Sequence, residues 1–111
     1  MQSWNLNEVE TPAGSRSPVV LHSTDEARAV LIGLDPGQAL GDHQVHERAW
    51  VMVLDGSVRM ECGDETVEAG PGFLARFEPG ERRSLSADGG ARILLLLAPW
   101  PGVGHFHDGE R

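Results

Sequence analysis

Residues 50–62 read WVMVLDGSVRMEC. Trp50 to Leu54 is an apolar run, and Asp55-Gly56 is a dipeptide that favours a two-residue hairpin turn between strands. From Ser57 to Cys62 the chain alternates: Val58, Met60 and Cys62 share one side, and Arg59 and Glu61 share the other. A period of two is the mark of a half-buried strand. The stretch therefore predicts two strands joined by a tight turn, with Cys62 facing a core.

The same punctuation continues in both directions. Upstream lie a short strand at Val19–Leu21, a longer one at Ala27–Leu34 and an Asp35-Pro36-Gly37 turn, then an extended piece at His43–Val45. Downstream come strands at Thr66–Ala69, Phe73–Phe77, Arg83–Ser86 and Ala91–Ala98, broken at Gly70-Pro71-Gly72 and Pro79-Gly80. No stretch has helical periodicity of useful length. Eight or nine short strands with turns at this spacing predict an all-β sandwich or closed barrel.

With 111 residues the chain has room for one core. It divides into an N-terminal arm (1–17), a β-domain (18–98) and a C-terminal tail (99–111). The formal net charge is −8 and the arginines are scattered. Phosphate contacts need clustered Lys and Arg, so neither nucleic acid nor an anionic membrane is an expected partner. One cysteine excludes an intramolecular disulfide. There is no basic, apolar leader pattern at Met1–Trp4, and the longest apolar run, Ile93–Ala98, is too short to span a bilayer. A cytoplasmic location is the expectation.

Two segments resemble the motifs of the cupin superfamily, here a small single-domain member. The first family motif, G-x5-H-x-H-x3,4-E-x6-G, is similar to Gly37 through Gly56. Gly37, His43 and Gly56 match, whereas Val45 and Ala49 stand at the second histidine and the glutamate. The second motif, G-x5-P-x-G-x2-H-x3-N, resembles Gly72 through Leu85, with Pro79-Gly80 as its turn and Arg83 at its histidine. The resemblance implies an antiparallel double-sheet β-barrel of jelly-roll type. It also implies a site in the barrel interior, where family members bind a transition metal.

Three of the four ligand positions have changed, so no cofactor is expected at a complete site. The first expectation is a protein that binds a small, possibly anionic, molecule in the interior. His43, Arg83 and Trp50 are its candidate ligand-binding residues, since a buried arginine demands a partner, either a carboxylate of the protein or an anionic ligand. The alternative is a metal-dependent dioxygenase or isomerase. Its rearranged site would use His43 and His46 to hold iron, manganese, zinc or nickel, and the tail pair His105 and His107 has ligand-like spacing as well. A bulge is needed to turn both His43 and His46 inward. A third reading is a structural partner whose interior is filled by side chains. Finally, Ile93–Leu97 is apolar at every position. Both faces of that strand need cover, which predicts a homodimer unless the N-terminal segment around Trp4 and Leu6 folds across it.

Overall fold

The computed structural model describes residues 1–11, 18–43 and 48–99, with side chains given for all of these but 41–43. The described residues form nine strands: β1 (Val19–Ser23), β2 (Arg28–Leu34), β3 (Gln38–His43), β4 (Arg48–Gly56), β5 (Val58–Cys62), β6 (Glu65–Ala69), β7 (Leu74–Phe77), β8 (Arg83–Ala87) and β9 (Ala91–Ala98). The described residues include no α-helix, and hence no helix long and apolar enough to cross a membrane.

The strands form two antiparallel sheets, ordered β1-β2-β9-β4-β7 and β3-β8-β5-β6. Pairing β5 with β6, β4 with β7, β3 with β8 and β2 with β9 describes one long hairpin wound up on itself. This is the jelly-roll path that the sequence motifs imply. The two sheets are not hydrogen-bonded into a closed barrel; they face each other as layers.

Alternation decides what lies between the layers. Ala49, Val51 and Val53 of β4 point inward, as do Val30, Ile32 and Leu34 of β2 and Ile93 and Leu97 of β9. From the smaller sheet come Val58 and Met60 of β5 and Leu85 and Ala87 of β8. Burying each of the valine, isoleucine, leucine and methionine side chains among these contributes about 1.5–3 kcal/mol, so this interleaved layer is the main stabilising feature.

Two sequence expectations need correction. Asp55-Gly56 does not close a hairpin, because β4 and β5 belong to different sheets. The dipeptide is a corner at which the chain crosses between layers. Gly56 has a φ of 79° there, and a Cβ on it would lie 2.2 Å from the Gly90 carbonyl oxygen. The strand around His43 also starts earlier than expected, at Gln38. Its pairing with β8 shifts between Leu40 and His43, and that irregularity hides the alternation.

The N-terminal arm crosses the outer face of the larger sheet. Arg92 donates through Nη2 to the Leu6 carbonyl at 2.6 Å and to the Val9 carbonyl. Thr11 lies directly over Gly33, and Trp4 packs at a tilt on His22.

Candidate functional site

At one end of the sandwich, backbone register aligns His43, Arg83 and Cys62 across β3, β8 and β5. The sequence motif predicts an inward arginine at the start of β8. Arg83 is only 4% exposed, and its guanidinium lies 5.1 Å from the centroid of the Phe77 ring. Phe77 belongs to the opposite sheet and pairs with Ala49, so Arg83 spans the gap between the layers. Its neighbour Arg82 is exposed, as expected.

Beside this bridge lies a cavity of about 160 Å³. Met60, Val67, Phe73, Ala75 and Phe77 form its apolar wall, Cys62, Glu65 and Glu81 add polar groups, and Arg76 also borders it. The arrangement follows from strand parity. Met60 and Cys62 are alternate residues of β5, and Ala75 and Phe77 are alternate residues of β7. The chain passes from one sheet to the other over the edge at Gly70-Pro71-Gly72, where Gly72 has a φ of 92°.

Glu81 is fixed on both oxygens. Oε1 accepts from the Glu78 amide at 2.7 Å, and the Cys62 thiol donates to Oε2 at 3.6 Å. Burial pushes the Cys62 thiol above its usual range, and the Glu81 carboxylate adds to the shift, while Arg83 opposes it. The thiol is therefore uncharged at neutral pH and lines the cavity as a weak donor rather than as a nucleophile.

Of the sequence-predicted residues, Arg83 is the one whose described side chain reaches the region beside the cavity. His43 shares its register row, but its side chain lies outside the described ones. His46, Val45 and the tail histidines His105 and His107 also lie outside the described residues. Trp50 is not at this site. It stands between the inward-pointing Ala49 and Val51, so alternation turns it to the outer face. There Arg76 packs 5.7 Å from its ring centroid. Arg76 also pairs with Glu78 at 2.7 Å, and Glu78 holds Arg48 at 3.2 Å.

The cavity residues Phe73, Phe77 and Glu81 were not singled out from the sequence. Phe77 had a usable signal, its parity with Ala75 on a predicted strand. Glu81 had none, because a polar residue after a Pro-Gly turn reads as solvated loop.

As aligned, these positions do not fit a metal. Ala49 offers no donor atom, and the Arg83 guanidinium is a cation with no lone pair to give. Among the described residues no three His, Cys, Asp or Glu side chains gather as ligands.

The family model for the cupin domain matches residues 30–98. The fold is similar to that of a double-stranded β-helix protein from Klebsiella pneumoniae, with a TM-score of 0.80 at 20% identity over 92% of this chain and 93% of that one. An RmlC-like cupin from Desulfovibrio desulfuricans is similar at a TM-score of 0.78 and 22% identity, covering 89% and 97% of the two chains. A cupin superfamily protein from Desulfitobacterium hafniense gives 0.77 and 12% over 84% and 85%. At such identities the likeness is one of fold. No curated protein matches the chain.

Proposed function

Since the chain belongs to the cupin domain family, we propose that it binds a compact, mainly apolar molecule with an anionic group between its two sheets, without the family's full set of metal ligands. The observation that carries this reading is an apolar-walled cavity of about 160 Å³ beside the buried cation of Arg83. An apolar cavity of about 150 Å³ is large enough to take up a single benzene ring. Arg83 adds a planar donor fork suited to a carboxylate, and it stands next to Cys62 and against Phe77, both of which line the cavity. Glu65 and Glu81 are also part of the lining. Their charges disfavour an acid that stays near them and favour one whose anionic end turns toward Arg83.

Benzoate and its neutral isostere benzamide provide the test. At ten times the dissociation constant a ligand stabilises by about 1.4 kcal/mol, which for a domain of this size raises the melting temperature by roughly 6 °C. Small ring carboxylates are expected to give such shifts, and their amides smaller ones. Arg83→Met is expected to abolish the difference, and Phe73→Trp to weaken both by filling the opening. A panel in which acids and amides behave alike in the native protein would remove the anionic element, and a panel without any binder would remove the reading.

The metal-dependent alternative, a dioxygenase or isomerase using His43 and His46, draws support from the placement of His43 in the register row of Arg83. Elemental analysis of protein purified without an affinity tag separates the two readings. Little iron, manganese, zinc or nickel is expected. Stoichiometric metal that disappears in His43→Ala and His46→Ala would establish the alternative instead.

A further inference from the structure

The cavity beside Arg83 has a floor and a mouth of opposite character. Met60, Phe77 and Arg83 are 5%, 6% and 4% exposed, so the floor is apolar and ends on a cation. Val67 and Phe73 are each 38% exposed, and Glu65 and Glu81 are exposed as well, so the mouth carries two carboxylates on an apolar rim. Register explains the polarity. Cys62 pairs with Arg83 on one side and with Glu65 on the other. Directly paired residues share a face of the sheet. Cation, thiol and carboxylate therefore stand in one inward row, with about 10 Å between the backbones of its ends. The next inward row, Leu85, Met60 and Val67, is apolar. Glu81 is held at the mouth by the Glu78 amide and the Cys62 thiol. Both donors are uncharged, and among the described residues neither Glu65 nor Glu81 belongs to an ion pair. Arg76 is turned to Trp50 and Glu78 instead.

We infer that the occupant of this cavity is zwitterionic, with a carboxylate at one end of an apolar body and an ammonium group at the other. The inference rests on the anion-binding reading above and adds the second charge. A ligand that enters carboxylate first reaches Arg83 at the floor. Its body lies against Met60 and Phe77, and its other end stops at the mouth. Three features there suit a cation. The first is the Phe73 ring, since an ammonium group is attracted to the face of an aromatic ring. The second is that Glu81 is already oriented. Its two described donors leave further lone pairs on the carboxylate, so accepting an ammonium group demands little reordering. The third is charge balance. A simple anion must pass two carboxylates on a chain of net charge −8, whereas a zwitterion brings its own counter-charge to them. The length of the row favours charges at opposite ends of the ligand over charges on one carbon.

Titration calorimetry of the full chain with benzoate, benzylamine, phenylglycine and 4-(aminomethyl)benzoate tests the inference. Exposed ion pairs and a cation–π contact together are expected to make 4-(aminomethyl)benzoate about ten-fold tighter than benzoate. Benzylamine and phenylglycine, which carries both charges on one carbon, are expected to bind no tighter than benzoate. Glu65→Gln combined with Glu81→Gln is expected to remove the advantage while benzoate still binds. Glutamine keeps an oxygen for the Glu78 amide. A second measurement covers the case in which that variant fails to fold. Raising the salt to about 1 M shortens the screening length to about 3 Å, and the native advantage is expected to fall below about three-fold. If benzoate binds and 4-(aminomethyl)benzoate binds no tighter, the zwitterion is overturned and the anion site stands. An advantage that survives the double substitution or high salt overturns it too, as does benzylamine or phenylglycine matching 4-(aminomethyl)benzoate. Failure of both benzoate and 4-(aminomethyl)benzoate to bind would remove the anion-binding reading, and this inference with it.

Discussion

Gly56→Ala is expected to cost about 2–5 kcal/mol of folding stability. Two effects add. At a φ of 79° any L-side chain pays the left-handed penalty of about 1–2 kcal/mol. A Cβ would also meet the Gly90 carbonyl oxygen at 2.2 Å and the Ala91 Cα at 2.8 Å. Both are backbone atoms, Gly90 in the β8–β9 connection and Ala91 at the start of β9, and neither can swing aside like the end of a side chain. Forcing them apart is an overpacking cost of about 1–3 kcal/mol. Gly63→Ala supplies the control. Gly63 has a φ of 61° but open space around it, so only the conformational cost of about 1–2 kcal/mol is expected. Urea midpoints at constant slope measure both. Equal losses in the two variants would show that the layer crossing at Gly56 tolerates a side chain.

The second large effect is at Leu31. Its complete burial predicts a loss of about 2–5 kcal/mol for Leu31→Ala, the range for core leucines. The expectation is unusual in its dependence on the arm. Leu31 faces away from the layer between the sheets, and the segment anchored over that face is the arm, through Arg92 to the Leu6 and Val9 carbonyls and through Thr11 on Gly33. In a chain lacking residues 1–11, Leu31 becomes a surface residue, and the same substitution should cost less than about 0.5 kcal/mol. The two changes are therefore expected to be strongly non-additive, by well over the roughly 0.3–0.5 kcal/mol seen for independent sites. An additive pair would mean that something other than the arm buries Leu31.

Both experiments probe places where the chain's local pattern was ambiguous. The sequence reading of Asp55-Gly56 as a hairpin turn rested on a dipeptide that favours positive φ, and Gly56 does have it. What differs is the partner. The same dihedral freedom that closes a hairpin also lets a strand end and cross to the opposite sheet, and only the pairing of β4 with β9 and β7 distinguishes the two. The candidate site shows the same division. Arg83 was legible because the Pro79-Gly80 turn places it at the head of a strand, where the family motif has an inward histidine. Trp50 was misplaced, although its own parity with Met52, opposite Ala49 and Val51, assigned it to the other face once the core side of β4 was known.

The amino-acid sequence by itself determined the class of the fold, the positions of most strands, the inward set Val58, Met60 and Cys62, and the identities of Val45, Ala49 and Arg83, whose side chains have no lone pair to give a metal. These are consequences of a two-residue period and of chemical identity, and both are local. Tertiary structure alone decided that Trp50 looks outward, that Glu81 reaches Cys62, and that the arm shields Leu31 but leaves Leu74 and Leu96 exposed. The physical reason is that alternation says which side chains share a face of a strand. It does not say which sheet the strand joins or what packs on each side, because strand pairing connects residues far apart in the chain, as in β2 with β9.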